Sequence, residues 1–136
     1  MPASENKTRQ TFPRTERLKS RKIIEQLMLD GKTINAPGFK LIWMHTELPE
    51  SVPVQTAFAV PKKRMRLATD RNRIKRMMRE AYRKNKSELC NLHDNLEKQS
   101  AILFVYNGNT VPEYRNLEEI LIQTVKKFVV HLSKNI

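Results

Sequence analysis

Apolar residues fall along the chain in short periodic blocks separated by polar turns. Ile23, Ile24, Leu27 and Met28 recur at helical spacing. Ser20 before them suits a side-chain N-cap and Gly31 after them a left-handed C-cap. Together they predict a helix ending at Asp30 with an apolar stripe against a sheet. Phe39–His45 is rich in aromatic and branched residues and predicts a strand. Its alternation puts Phe39, Leu41 and Trp43 on one face and Lys40, Ile42 and Met44 on the other. Glu47–Pro53, with two prolines and two glutamates, reads as an exposed turn. Val54–Val60 is a second strand, which Pro61 ends. Two strands across so short a turn predict an antiparallel pair.

A helix follows over Thr69–Lys86. Ser87–Ser100 carries Leu89, Leu92 and Leu96 and is compatible with either helix or loop. Ala101–Tyr106, the run AILFVY, predicts a central strand buried on both faces. Asn107-Gly108-Asn109 is a turn signal, and Thr110–Glu113, with Pro112, has the form of a capping box. Leu117, Ile120, Leu121, Val125, Phe128, Val129 and Leu132 then define the clearest amphipathic helix. The order helix, strand, strand, helix, strand, helix, with room for one more short strand, predicts an α/β fold. It is an α+β two-layer sandwich with helices stacked on one face of a small mixed sheet. Residues 1–13 read as a flexible basic tail and 14–136 as a single domain.

Composition narrows the function. In 136 residues no stretch nears the roughly 18 consecutive apolar positions of a membrane span. The N-terminus lacks a secretory apolar run. A soluble cytoplasmic protein is expected, with no membrane and no obligate protein partner. The one cysteine, Cys90, excludes an intramolecular disulfide and a cysteine-based zinc cluster. His45, His93 and His131 lie far apart with no ligand-like spacing, so no metal site is expected.

Charge carries the most information. Lys and Arg number 26 against 14 Asp and Glu, a net charge of +12. Pro61–Lys86 holds twelve basic and two acidic residues, a net of +10. Met1–Lys22 holds seven against two, a net of +5, and the rest seven against ten, a net of −3. Positive charge so concentrated marks a dedicated polyanion-binding face, and nucleic acid is the commonest such partner.

At about 100° per residue, Arg71, Asn72, Lys75, Arg76, Arg79 and Arg83 fall on one arc of the basic helix. Ile74, Met77, Met78 and Ala81 fall on another. Like charges at i,i+4 repel by about 0.2–0.5 kcal/mol per pair. Arg71–Lys75, Lys75–Arg79 and Arg79–Arg83 are three such pairs in succession. A polyanion relieves that repulsion and gains counterion release, and arginine grips phosphate with a planar fork.

The string RNRIKRMMRE, Arg71–Glu80, is similar to the RNR signature of the bacterial ribonuclease P protein family. Phe12-Pro13, Arg17-Leu18-Lys19 before a helix ending at Gly31, the Phe39 strand and Phe58-Ala59-Val60 before Lys62-Lys63 also resemble the family's layout. So do the AILFVY strand and the closing helix, so the likeness runs over about residues 12–133. The resemblance implies a fold like the second domain of ribosomal protein S5, with a left-handed crossover around the RNR helix. It implies that Arg71, Asn72, Arg73, Lys75, Arg76 and Arg79, with Lys62 and Lys63 of the loop before the helix, contact the catalytic RNA of ribonuclease P, and the charge pattern adds Arg64, Arg66 and Arg83 to the RNA-binding set. The resemblance further implies a cleft for the 5′ leader of precursor tRNA, carried here by Arg17, Ile24, Met28 and Ile42. Family members often have aromatics where this chain has Ile24, Met28 and Ile42, which weakens stacking on a base. Phe39 and Trp43 are read as core.

No set of carboxylates or histidines here forms a protein nuclease site, so no catalytic residue is assigned. The resemblance implies an enzyme whose active site lies in RNA, with Mg2+ bound mainly by that RNA. The expected function is endonucleolytic removal of the precursor-tRNA leader by the ribonucleoprotein. The alternatives are a structural, ribosomal-type RNA-binding protein and a nonspecific RNA binder.

Overall fold

The AILFVY run sits at the centre of the fold. A computed structural model describes residues 11–134. It contains a 3-10 turn, Arg14–Glu16, then α1 (Arg21–Asp30), β1 (Lys32–Ala36), β2 (Phe39–His45) and β3 (Val54–Ala59). These are followed by α2 (Ala68–Asn85), α3 (Ser87–Leu96), β4 (Ser100–Tyr106) and α4 (Tyr114–Lys134). The sheet order is β1-β2-β4-β3. β4 runs antiparallel to β2, with Leu41 opposite Phe104, and parallel to β3, with Phe58 opposite Phe104. Every residue of β4 is buried. A strand with no polar face is stable only with a neighbour on each side and cover on both faces.

That requirement overturns the expected pairing. β2 and β3 are not neighbours, because β4 inserts between them. The link from β3 back to β4 is a crossover through α2 and α3, as parallel strands need. The mixed α/β fold is as expected, but the layering differs. Phe39, Leu41, Trp43, Ile102 and Phe104 pack under α2, α3 and α4, whereas Ile42, Ala101, Leu103 and Val105 pack under α1 on the other face. Full burial of Phe104 alone is worth on the order of 2–3 kcal/mol.

Several local expectations also change. Ser20 caps α1 as expected, its Oγ accepting from Ile23 N at 3.2 Å. Gly31 is extended (φ −67°), not left-handed. It is needed for close approach instead: a Cβ there would lie 2.4 Å from the Leu27 carbonyl oxygen and 2.6 Å from Ile42 Cγ2. The further short strand is β1, joined to β2 by Pro37-Gly38 with Gly38 at φ +67°. α4 begins at Tyr114, so Thr110 is not its cap, and the Thr110 carbonyl accepts from the Tyr106 hydroxyl. The polar stretch after α2 is helical, and its end at Glu97 takes up φ 55°. Most of the expected tail, residues 1–10, lies outside the described residues. Phe12 is buried and belongs to the core.

Candidate nucleic-acid interface

Between β3 and α2 the chain makes a tight basic loop. The Pro61 carbonyl accepts from the backbone N–H groups of both Arg64 and Met65 at 3.2 Å. Met65 is buried and anchors the loop, leaving Lys62, Lys63, Arg64 and Arg66 exposed. The Arg71 guanidinium donates to the carbonyls of Met65 and Arg66, both at 2.8 Å. Arg71 therefore fastens loop to helix, and the basic side chains of both are presented by one stiff unit.

Along α2 the buried residues are Ile74, Met78, Ala81 and Tyr82. Tyr82 lies at about 20° from Arg71 on the helical wheel, inside the arc expected to be cationic. Its ring fills the core, and its hydroxyl accepts from Thr56 Oγ1 at 2.9 Å. Burial pushes its phenol well above the ordinary value. The open face is accordingly rotated away from Arg71 and Lys75, which are half-buried. It is centred on Asn72, Arg73, Arg76 and Arg79, all exposed. Glu80 accepts from Arg83 and lies 4.0 Å from Lys84. The Arg83 hydrogen bond holds the Glu80 carboxyl below its ordinary value. Among the described residues Arg73, Arg76 and Arg79 are paired with no carboxylate.

Arg17 was expected in the leader cleft beside α1, but the fold puts it against α2. With Phe12, Arg76, Arg79, Glu80 and Arg83 it lines a shallow pocket of about 240 Å³. Its guanidinium lies 5.5 Å above the Phe12 ring and donates to the Phe12 carbonyl at 3.3 Å. Beneath, Lys86 is fully buried, ion-paired with Glu16, with Nζ 5.9 Å from the Phe12 ring. A buried cation needs such partners. The sequence reading left both Phe12 and Lys86 out of the site. Their signal was the second basic segment around Arg14–Lys22, whose partner surface only the fold reveals.

The residues assigned to the leader cleft separate. Ile42 is 6% exposed and lies beneath α1, so it is core. Ile24 is half-buried against it, while Met28 is 62% and the unassigned Leu29 84% exposed. What α1 offers is an apolar rim, with the small residues Ala57 and Ala59 of β3 half-exposed on the same face of the sheet. Phe39 and Trp43 are buried on the opposite face, as expected.

The three histidines, distant in sequence, converge. Ser100 Oγ lies 2.7 Å from His93 Nε2 and 2.9 Å from His45 Nδ1, and the rings of His45 and His131 both contact Trp43. Burial is the main cause holding both His45 and His93 below their ordinary 6.5. Among the described residues no group of three His, Cys, Asp or Glu is arranged to hold a metal ion. Among the described residues no helix is long and apolar enough to cross a membrane.

Comparison with known proteins agrees with this architecture. A ribonuclease P protein component of Chlorobium phaeobacteroides is 33% identical over 114 residues, covering 76% of this chain and 78% of the relative. One of Porphyromonas gingivalis is 27% identical over 123 residues, covering 90% and 87%. The solved structure of the RNase P protein from Thermotoga maritima matches with a TM-score of 0.65 at 21% identity, covering 82% of this chain and 96% of that one. It shares the fold. Residues 12–129 match the family model described as Ribonuclease P. With eleven of its 26 basic residues in the Lys62–Arg66 loop and α2, this chain belongs to the bacterial ribonuclease P protein family, the RNA-binding protein component in tRNA processing.

Proposed function

We propose that this chain binds the catalytic RNA of ribonuclease P through the Lys62–Arg66 loop and the open face of α2. In this reading it also holds the 5′ leader of precursor tRNA along the apolar rim of α1. It thereby aids the endonucleolytic cut that forms the mature tRNA 5′ end, in the cytoplasm. The carrying observation is that Arg73, Arg76 and Arg79 share one exposed face without a carboxylate partner, beside a loop that Arg71 fastens. Three guanidinium forks on a stiff support suit contact with several phosphates of a folded RNA, and each contact releases condensed counterions. Arg17 above the Phe12 ring extends the same surface toward the N-terminal segment.

No residue of this chain is assigned a bond-making step. Magnesium, held mainly by RNA oxygens, would neutralise charge developing at the cleaved phosphodiester. The protein's own residues bind, orient and screen. Met28 and Leu29 give an unpaired leader base an apolar wall in place of an aromatic platform.

The test is cleavage of precursor tRNA by the reconstituted ribonucleoprotein across a magnesium series. Adding the protein should lower the magnesium required. Unchanged cleavage at every magnesium and salt concentration, with equal binding of all RNAs, would favour the nonspecific reading.

A further inference from the structure

At the corner of the sheet diagonally opposite the start of α2, the ends of β1, β2, α3 and α4 and the link before β4 border a hollow of about 400 Å³. Its walls are Lys32, Trp43, His45, Lys98 and His131, completed by two leucines. Among the described residues none that lines it is acidic. Lys32 Nζ lies 5.5 Å from the Trp43 ring centroid. The imidazoles of His45 and His131 stand edge-on to the same indole at 5.0 and 5.8 Å. The indole N–H is buried without a hydrogen-bond partner. Four cation-capable side chains around an apolar floor form an anion site in miniature, and nothing in the α2 surface accounts for it.

The hydrogen bonds beneath the hollow set the state of His45. His93 Nδ1 lies 2.9 Å from the Leu89 carbonyl, which can only accept, so Nδ1 carries the proton. His93 Nε2 then accepts from the Ser100 hydroxyl, which in turn accepts from His45 Nδ1–H. The relay makes His45 Nδ1 a donor, so in the neutral imidazole the lone pair is on Nε2. Nε2 becomes a donor only by taking up a second proton, and an anion in the hollow would supply the reason.

We propose that this hollow binds a phosphoryl group, through Lys32, Lys98 and His131 together with His45 protonated at Nε2. The phosphoryl group belongs either to a free nucleotide or to an RNA strand reaching this corner. Every charged group facing His45 disfavours its protonation in the free protein: Lys32 from β1 and Lys98 before β4. His131 of α4 and neutral His93 of α3 complete its surroundings, and only the Gln99 backbone hydrogen bond acts the other way. Asp94 acts on His93 and lines a different hollow. A bound phosphoryl anion reverses the balance at His45, so binding takes up a proton there and tightens as pH falls from 8 toward the His45 range.

Trp43, the only tryptophan in the chain, reports on the site directly. The experiment titrates the full chain with inorganic phosphate, AMP and a short single-stranded RNA, following Trp43 emission and the His45 imidazole resonances at pH 6 and pH 8. The expected result is a saturable emission change, at least several-fold tighter at pH 6, with the His45 pKa raised on binding. Lys32→Ala with Lys98→Ala should weaken it about tenfold, and H45Q should remove the pH dependence while circular dichroism shows the fold intact. A response to phosphate and AMP, with RNA affinity unaltered in the double lysine variant, identifies a free nucleotide as the ligand. A response to RNA that the double variant weakens identifies a strand. The proposal is overturned if no probe moves Trp43 or His45, or if the response persists undiminished in the double lysine variant.

Discussion

Helices α2 and α4 lie side by side on the same face of the sheet and differ in how they treat charge. Each buries a continuous apolar stripe: Ile74, Met78, Ala81 and Tyr82 in one, Leu117, Leu121, Val125, Phe128 and Leu132 in the other. On α4, Arg115, Glu118, Glu119, Lys126, Lys127 and Lys134 mix the two signs along the helix. Only His131 and Lys134, in its last turn, complement the helix dipole. On α2, Arg71, Arg73, Lys75 and Arg76 crowd the first half, at the dipole's positive end. The outer face of α4 offsets its charges. That of α2 opposes stability, and a bound polyanion would repay it.

If the two helices are equal in what they bury, truncating either core should cost alike. Phe128→Ala should lose about 3–5 kcal/mol and Ile74→Ala about 2–5 kcal/mol in thermal or denaturant unfolding. A much smaller loss on α2 would mean that it is only loosely docked and would break the comparison. Next in size is the outer face. Replacing Arg73, Arg76 and Arg79 with alanine should reduce the slope of log affinity for the catalytic RNA against log salt by about three. Lys126→Ala with Lys127→Ala should leave that slope unchanged. Equal effects from the two sets would erase the distinction.

A third difference lies beneath α4. His93 packs 6.0 Å from the Phe128 ring, and its pKa is lowered mainly by burial, despite its hydrogen bond to Leu89. A histidine with a folded pKa below its unfolded value stabilises the fold above the unfolded value. That contribution is lost as pH falls through the folded value. Melting temperature should therefore decline from just below pH 6.5 downward, before carboxylates titrate, and a flat profile between pH 7 and 5 would contradict the buried neutral His93. The smallest effect is the most diagnostic. Arg79→Gln removes two like-charge i,i+4 contacts and should raise the stability of the free protein by about 0.4–1 kcal/mol while weakening RNA binding.

How much of this was legible in the sequence follows from how local each signal is. The stripes of α2 and α4 and the unbroken AILFVY strand are patterns within one segment and were legible, whereas of the expected α1 stripe Leu27, Ile23 and Ile24 pack on the sheet and Met28 is exposed. β1 was not singled out because only Ile34 and Ala36 of KTINA face the core, leaving no alternation to see. Its signal was Pro37-Gly38. The β2–β3 pairing failed because partner choice is non-local: β4, some 40 residues on, is more apolar and takes the centre. In the candidate site the basic run was plain. Tyr82 nevertheless occupied part of its arc, and Arg17 crossed from the expected cleft to α2. Ile42 proved to be core. The histidine cluster was invisible, since its members come from β2, α3 and α4.

The segment before α1 has a consequence for how the free protein behaves in concentrated solution. Arg17 bridges Thr56, the Leu18 N–H donates to the Thr56 carbonyl at 2.9 Å, and Gln55 Nε2 donates to the Thr15 carbonyl at 2.8 Å. This short stretch seals the outer side of β3, an edge that would otherwise be a template for strands of other molecules. The opposite margin, β1, is only five residues long, begins with a lysine, and has the Asn35 carbonyl taken by Lys127 Nζ at 3.2 Å. Both borders of the sheet are thus partly blocked against pairing with strands of other molecules.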